Sequence, residues 1–88
     1  MEIEIATRQY HDQEGAVRRF RYFLTIDQEE TPQFFCENYG VRVAEESGTE
    51  TVIPKITTSA ARIDELIALL VENQVGPAGL MDVVTEWL

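Results

Sequence analysis

The residue types that most often perform chemistry in proteins are scattered along this 88-residue chain. The one histidine, His11, precedes Asp12 and Glu14, an arrangement that could hold a metal ion or transfer a proton. Its surroundings indicate a turn, in which neighbouring side chains diverge, and no second histidine or cysteine cluster completes a ligand set. We therefore interpret His11 as an exposed turn residue and predict no metal site.

The single cysteine, Cys36, cannot form a disulfide within the chain. A nucleophilic cysteine needs a lowered pKa and a neighbouring base. Cys36 instead follows Phe34 and Phe35, an apolar setting typical of a small core residue. The glycines are dispersed singly, so no phosphate-binding loop is present. We predict no catalytic residue and no cofactor, and we expect a protein that is not an enzyme.

Three arginines interleaved with aromatic residues form the best candidate contact for nucleic acid: Arg18, Arg19 and Arg21. Aromatic rings stack on bases while arginines bind phosphate. Because side chains alternate along a strand, Phe20 and Tyr22 point away from the second and third of these arginines. Those two are expected instead to face Glu2 or Glu4 across a strand pair. We therefore regard nucleic-acid binding as disfavoured.

The net charge of −9 is distributed unevenly. Residues 1–26 carry four acidic and four basic residues, whereas residues 27–88 carry twelve acidic and three basic ones. Such a surface repels phosphate backbones and anionic lipid heads, and its simplest role is solubility. The N-terminus lacks the features of a signal peptide, and no apolar run reaches membrane-spanning length. We predict a cytoplasmic protein without a membrane partner.

Alternating apolar residues predict strands at about residues 2–10, 17–27, 34–45 and 50–57. In the first strand, the alternation places Ile3 and Ile5 on one face and Ala6 on the other. Either Asn38 or Gly40 is predicted to mark a bulge. Pro54 indicates that the last strand lies at a sheet edge or stops pairing there.

The apolar period then changes to that of helices, at about residues 60–74 and 77–88. Ser59 is the expected N-cap, Gly76 is expected to end the first helix in the left-handed conformation, and Pro77 suits the first turn of the second helix. The predicted apolar stripes are Ile63, Leu66, Ile67, Leu70 and Val71, then Leu80, Val83, Val84, Trp87 and Leu88.

The predicted fold class is α+β, in a single domain spanning residues 1–88. It consists of an antiparallel sheet of three to four strands in a meander, with two C-terminal amphipathic helices packed on one face. The strand order, and whether residues 1–17 join the sheet, stay open at this point. Phe23 on the arginine face and Leu69 off the helix stripe are predicted to be exposed, and they are the candidate partner surface.

One set of residues in the C-terminal two-thirds forms a family-like pattern: Tyr39-Gly40-Val41, Ile56, Ser59, Ile63, Leu66, Leu69, Leu70, Pro77, Leu80, Asp82-Val83-Val84 and Glu86-Trp87-Leu88. In this pattern the chain is similar to a family of small uncharacterised proteins from clostridia and related Gram-positive gut bacteria, classed as a domain of unknown function. The resemblance covers roughly residues 20 to 88, and it implies a bacterial cytosolic origin but no activity.

The favoured function is a small non-enzymatic module that binds an unknown protein partner or itself. It could do so through an edge strand such as the one holding Pro54, or through Leu69. One alternative is a nucleic-acid-linked regulator, acting through the arginine strand or by acidic mimicry of DNA. Another is a small-ligand carrier or enzyme, which would need a concave apolar pocket.

Overall fold

The computed structural model describes residues 1–88 and confirms the α+β meander. Its elements are β1 (Glu2–His11), β2 (Val17–Glu30), β3 (Phe35–Glu45), β4 (Glu50–Thr57), α1 (Ala60–Glu72) and α2 (Leu80–Trp87). One turn of 3-10 helix, Pro77–Gly79, precedes α2. The strands pair antiparallel in chain order, so β1 is part of the sheet and lies at one edge, while β4 lies at the other.

The core lies between one sheet face and the two helices. Alternation along β2 and β3 points Phe20, Tyr22, Val41 and Val43 toward the helices. The helices pack their apolar stripes against these residues. The contributing side chains are Ile63, Leu66, Ile67 and Leu70 of α1 and Leu80 and Val84 of α2. Ser59 caps α1 as predicted, since its hydroxyl accepts a hydrogen bond from the Arg62 amide at 3.2 Å.

Ion pairs cover the sheet face that carries no helix. Arg42 of β3 reaches across to Glu2 of β1 and to Glu50 of β4, at 2.9 Å in both cases. Arg21 of β2 binds Glu4 of β1 at 2.8 Å. Each exposed pair contributes little stability by itself, but together they link all four strands and keep this face polar.

A bulge interrupts β1, because the pairing with β2 shifts register between Glu4 and Ala6. Ile5 is the extra residue, and Ala6 therefore lies opposite Tyr22 on the helix side of the sheet. The prediction that Ala6 lies on the face opposite Ile3 and Ile5 is wrong. Simple alternation fails here because a bulge places one more residue on one strand than on its partner.

A second irregularity lies at Gly40, one of the two positions predicted for a bulge. Tyr39 pairs with Thr57 and Val41 pairs with Ile53, so residues 54–56 of β4 stand opposite Gly40 alone. Pro54 thus lies in an edge strand, as predicted, at a point where regular pairing stops.

The end of α1 differs from the prediction. Gly76 has an extended backbone with φ −90°, and Gln74 takes the left-handed conformation with φ 52°. The amide of Gln74 bonds to the carbonyl of Val71, and that of Val75 bonds to the carbonyl of Leu70, which is the Schellman arrangement. Gly76 serves another purpose, since a side chain there would press on the ring of Phe20.

Tyr22 ties this helix end to the sheet, because its hydroxyl donates a hydrogen bond to the carbonyl of Val75 at 3.0 Å. Burial raises the pKa of Tyr22 to about 12. In the unfolded chain the phenol ionises near pH 10, so alkali favours unfolding. We expect the free energy of unfolding to decline as the pH rises from about 10 to about 12.

Urea unfolding followed at several alkaline pH values measures this decline. The Tyr22→Phe variant is the control, because it cannot ionise. It should be less stable than the wild type by about 1–3 kcal/mol at neutral pH, since the Val75 carbonyl loses its partner. If the free energy of unfolding declined equally with pH in the wild type and in Tyr22→Phe, a titrating group other than Tyr22 would be responsible for the decline.

Candidate functional site

In the turn between β1 and β2, the hydrogen bonds converge on the side chain of Asp12 and not on His11. Asp12 accepts hydrogen bonds from the amides of Glu14 and Ala16, both at 2.9 Å, and from Arg18 at 3.1 Å. The hydrogen bond from Arg18 is the main reason that the pKa of Asp12 lies below its usual value. His11 is an exposed residue at the end of β1. Asp12 therefore shapes the turn between β1 and β2.

Cys36 lies outside the core, so its interpretation as a core residue is wrong. It is half-buried and pairs with Glu29 near the tip of the β2–β3 hairpin. This hairpin extends beyond the last residues that β1 and β4 pair with it, and no helix covers it. Phe34 and Phe35 are exposed there for the same reason.

The three arginines proposed as nucleic-acid contacts all have partners within the chain. Arg21 makes two hydrogen bonds to Glu4, as expected from the strand pairing. Arg19 binds the side chain of Gln9 rather than an acid. Arg18 binds Asp12 and, at 2.7 Å, Glu45. These contacts compete with any phosphate that would approach the arginines.

Phe23 lies on the arginine face as predicted, but the expectation that it is exposed is wrong. Only 7% of it is accessible. The guanidinium of Arg42 lies 3.8 Å from the centre of its ring, and that of Arg21 lies 5.1 Å away. Cations favour the face of an aromatic ring, so the arginines that make this face polar also cover Phe23. Phe23 was a candidate partner surface because it was expected to be exposed, so its burial removes the reason for that choice.

Leu69 is exposed, as predicted, with 37% of its surface accessible on α1. It lies next to Ala68, which is also exposed. Consecutive helix residues point about 100° apart, so Leu69 and Ala68 lie on opposite sides of the buried stripe, and Leu69 stands as an isolated exposed apolar residue.

An open groove of about 410 Å³ lies between β1 and α1. The bulge in β1 contributes to it, because it re-aims a side chain and both Ile5 and Ala6 line the groove. The side chains around the groove are Ile5, Ala6, Asp64, Ile67, Ala68, Val71 and Glu72. Ile5 leaves 47% of its surface accessible. The groove is thus an apolar recess whose only charged lining residues are acidic.

Sequence reasoning did not identify this groove, since it depends on where β1 lies relative to α1. The one local signal was the spacing of Asp64, Ala68 and Glu72. Residues four apart lie on one side of a helix, so this row alternates acid, small residue and acid.

These features define a small α+β protein, a four-stranded antiparallel meander with helices on one face and an open apolar groove at its β1 edge. The chain belongs to a family of unknown function, DUF6514, whose sequence model matches residues 1–88. This match includes the first strand, which the resemblance over residues 20 to 88 left out. No curated protein and no solved structure matches the chain.

Neither helix has the length and apolar character needed to cross a lipid bilayer. The family match supplies no activity, ligand or partner. The bacterial cytosolic origin stays a prediction.

Proposed function

We propose that the protein is a non-enzymatic cytoplasmic module that binds another protein through the groove between β1 and α1. The observation that carries this proposal is the exposed apolar lining of the groove, with Ile5 of β1 facing Ala68 and Val71 of α1 across it. Exposed apolar surface rimmed by polar residues marks protein contacts and ligand-binding grooves alike. Binding would remove this surface from water, which stabilises a complex.

The character of the groove favours a protein segment over a small metabolite. Sites for small molecules usually enclose most of the ligand and direct several polar groups at it. This groove is open to solvent, and Asp64 and Glu72 are its only charged lining residues. It resembles the strand-and-helix grooves in which proteins hold peptide segments.

Self-association through an edge strand has less support. Both edges of the sheet carry irregularities, at Ile5 in β1 and at residues 54–56 in β4. Bulges and prolines at sheet edges are devices that hinder pairing with another strand. Direct nucleic-acid binding also has less support, because Arg18 and Arg21 are already paired with acids.

Filling the groove tests the proposal. We expect Ala68→Trp to reduce capture of the native partner from a host lysate by about tenfold or more, because the indole would occupy the partner's space. Ala78→Trp is the matched control, since Ala78 is exposed and lies outside the groove. Quantitative mass spectrometry of proteins captured by the wild type and both variants provides the measurement.

Thermal unfolding followed by circular dichroism should show both tryptophan variants folded. A partner that is lost with Ala68→Trp and kept with Ala78→Trp supports the groove. If both variants capture the same proteins in the same amounts as the wild type, the groove is not the binding site.

A further inference from the structure

Building on the proposed function, we infer that the groove holds an extended segment of another protein in which two lysines or arginines flank an apolar residue. The basic residues occupy positions i and i+4 of that segment, and the apolar residue occupies i+2. The juxtaposition behind this inference is the row Asp64, Ala68 and Glu72 on α1, facing the free edge of β1.

The row on α1 has a defined length. Asp64 and Glu72 are eight residues apart on one helix, which corresponds to about 12 Å along its axis. Ala68 lies midway, and its small side chain leaves room above the apolar floor formed by Ile67 and Val71. A partner that matches this row needs two cations about 12 Å apart and an apolar group between them.

The two groove acids are free to bind such cations. Neither Asp64 nor Glu72 takes part in an ion pair within the chain, whereas Glu65, which lies outside the groove, is paired with Arg62 at 3.7 Å. Five of the seven basic residues are also held in internal ion pairs: Arg18, Arg21, Arg42, Lys55 and Arg62. The negative net charge of the chain adds an attraction that steers basic segments toward the protein.

An extended chain fits this spacing over a short length. Side chains at i, i+2 and i+4 of a strand lie on one face, and the outer two are about 13 Å apart. The opposite wall of the groove is formed by the side chains of Ile5 and Ala6. The segment contacts these side chains and does not extend the sheet, because the bulge at Ile5 hinders regular pairing there.

Three synthetic peptides with blocked ends test the inference by NMR titration of the full-length, ¹⁵N-labelled protein. The first has the order Gly-Lys-Ala-Leu-Ala-Lys-Gly. The second, Gly-Lys-Lys-Leu-Ala-Ala-Gly, has the same composition with the wrong spacing, and the third replaces both lysines of the first with glutamate. The amide signal of Ala68 reports binding in the groove.

We expect the first peptide to bind about threefold more tightly than the second, since the wrong spacing loses one exposed ion pair. The glutamate peptide should leave the Ala68 signal unchanged. In the double variant Asp64→Asn/Glu72→Gln, the first peptide should bind about ninefold more weakly because both ion pairs are lost, and its advantage over the second should disappear. The control Glu65→Gln/Glu86→Gln has the same net charge as that variant, and it should bind like the wild type.

The outcomes separate this inference from the proposed function. Equal binding of the first two peptides, or binding that ignores the loss of Asp64 and Glu72, would overturn the inference. A helical alanine-rich peptide with lysines eight residues apart that binds more tightly than the extended one would overturn it as well. In each case partner capture that depends on Ala68 would still support the groove as a binding site, and only capture independent of Ala68 would remove both.

Discussion

Replacement of Gly40 with alanine is expected to lower the free energy of unfolding by about 3 kcal/mol or more, because the new methyl group has no space. A Cβ atom at this position would lie 2.6 Å from the Cα of Pro54 and 2.7 Å from the hydroxyl of Thr25, and it would also strike the carbonyl oxygen of Ile53. Two of these three atoms belong to the backbone, so side-chain rotation cannot relieve the overlap. Urea unfolding monitored by circular dichroism measures the loss.

Gly79→Ala is the matched control for this substitution. The nearest atom to a Cβ at Gly79 is a methyl carbon of Val75 at 3.9 Å, and the φ of −95° suits alanine. This variant should therefore be more stable than the wild type by about 0.4–1 kcal/mol, because alanine restricts the unfolded chain. The same added methyl group thus has opposite effects at two glycines. Equal stability of the Gly40→Ala protein and the wild type would contradict the close packing of β4 against β3.

Features that depend on neighbouring residues were predictable from the sequence. The alternation of Phe20 and Tyr22 with arginines was enough to assign their faces, because side-chain direction in a regular strand follows from position alone. Ser59 was recognisable as a cap because its partner, the Arg62 amide, lies three residues further along. The meander type follows the same logic, since short turns make consecutive strands neighbours, but the strand order and the place of β1 in the sheet came from the structure.

Features that depend on distant residues were not predictable in this way. Alternation assigned Phe23 to a face, but it could not show that Arg42, nineteen positions later in the sequence, lies over its ring. Cys36 looked like a core residue because its neighbours are apolar, yet the length of the hairpin carries it beyond the helices. The left-handed residue after α1 was assigned to Gly76 because glycine usually takes that place, whereas the hydrogen bonds of Val75 place it at Gln74.

The candidate groove is also a feature that depends on residues far apart in the sequence. Its helical half is visible in the spacing of Asp64, Ala68 and Glu72, but acidic residues on an exposed helix face usually indicate only a solvated surface. The other half depends on the bulge at Ile5, which brings two consecutive residues of β1 to the groove. No local pattern in the first strand signals that bulge, so the groove becomes recognisable only when both elements are in place.

The second large effect is expected at Leu80, in the short helix α2. A helix of eight residues is not stable alone in water, so α2 depends on its contacts with the core. Leu80 has 0% of its surface accessible. Truncation to alanine would leave a cavity between α2 and the sheet, and it should lower the free energy of unfolding by about 2–5 kcal/mol. This is a large share of the stability of a small domain.

Leu88→Ala provides the comparison, because it removes the same atoms from the same end of the chain. Leu88 was assigned to the apolar stripe of α2, yet it lies beyond the last helical residue with 76% of its surface accessible. Its truncation should change the free energy of unfolding by no more than about 0.5 kcal/mol. Hydrogen exchange adds a local readout, since Leu80→Ala should release the α2 amides first while those of β2 and β3 stay protected. If the two variants were equally stable, α2 would not be packed through Leu80, and the second helix would not belong to the layer that covers the sheet.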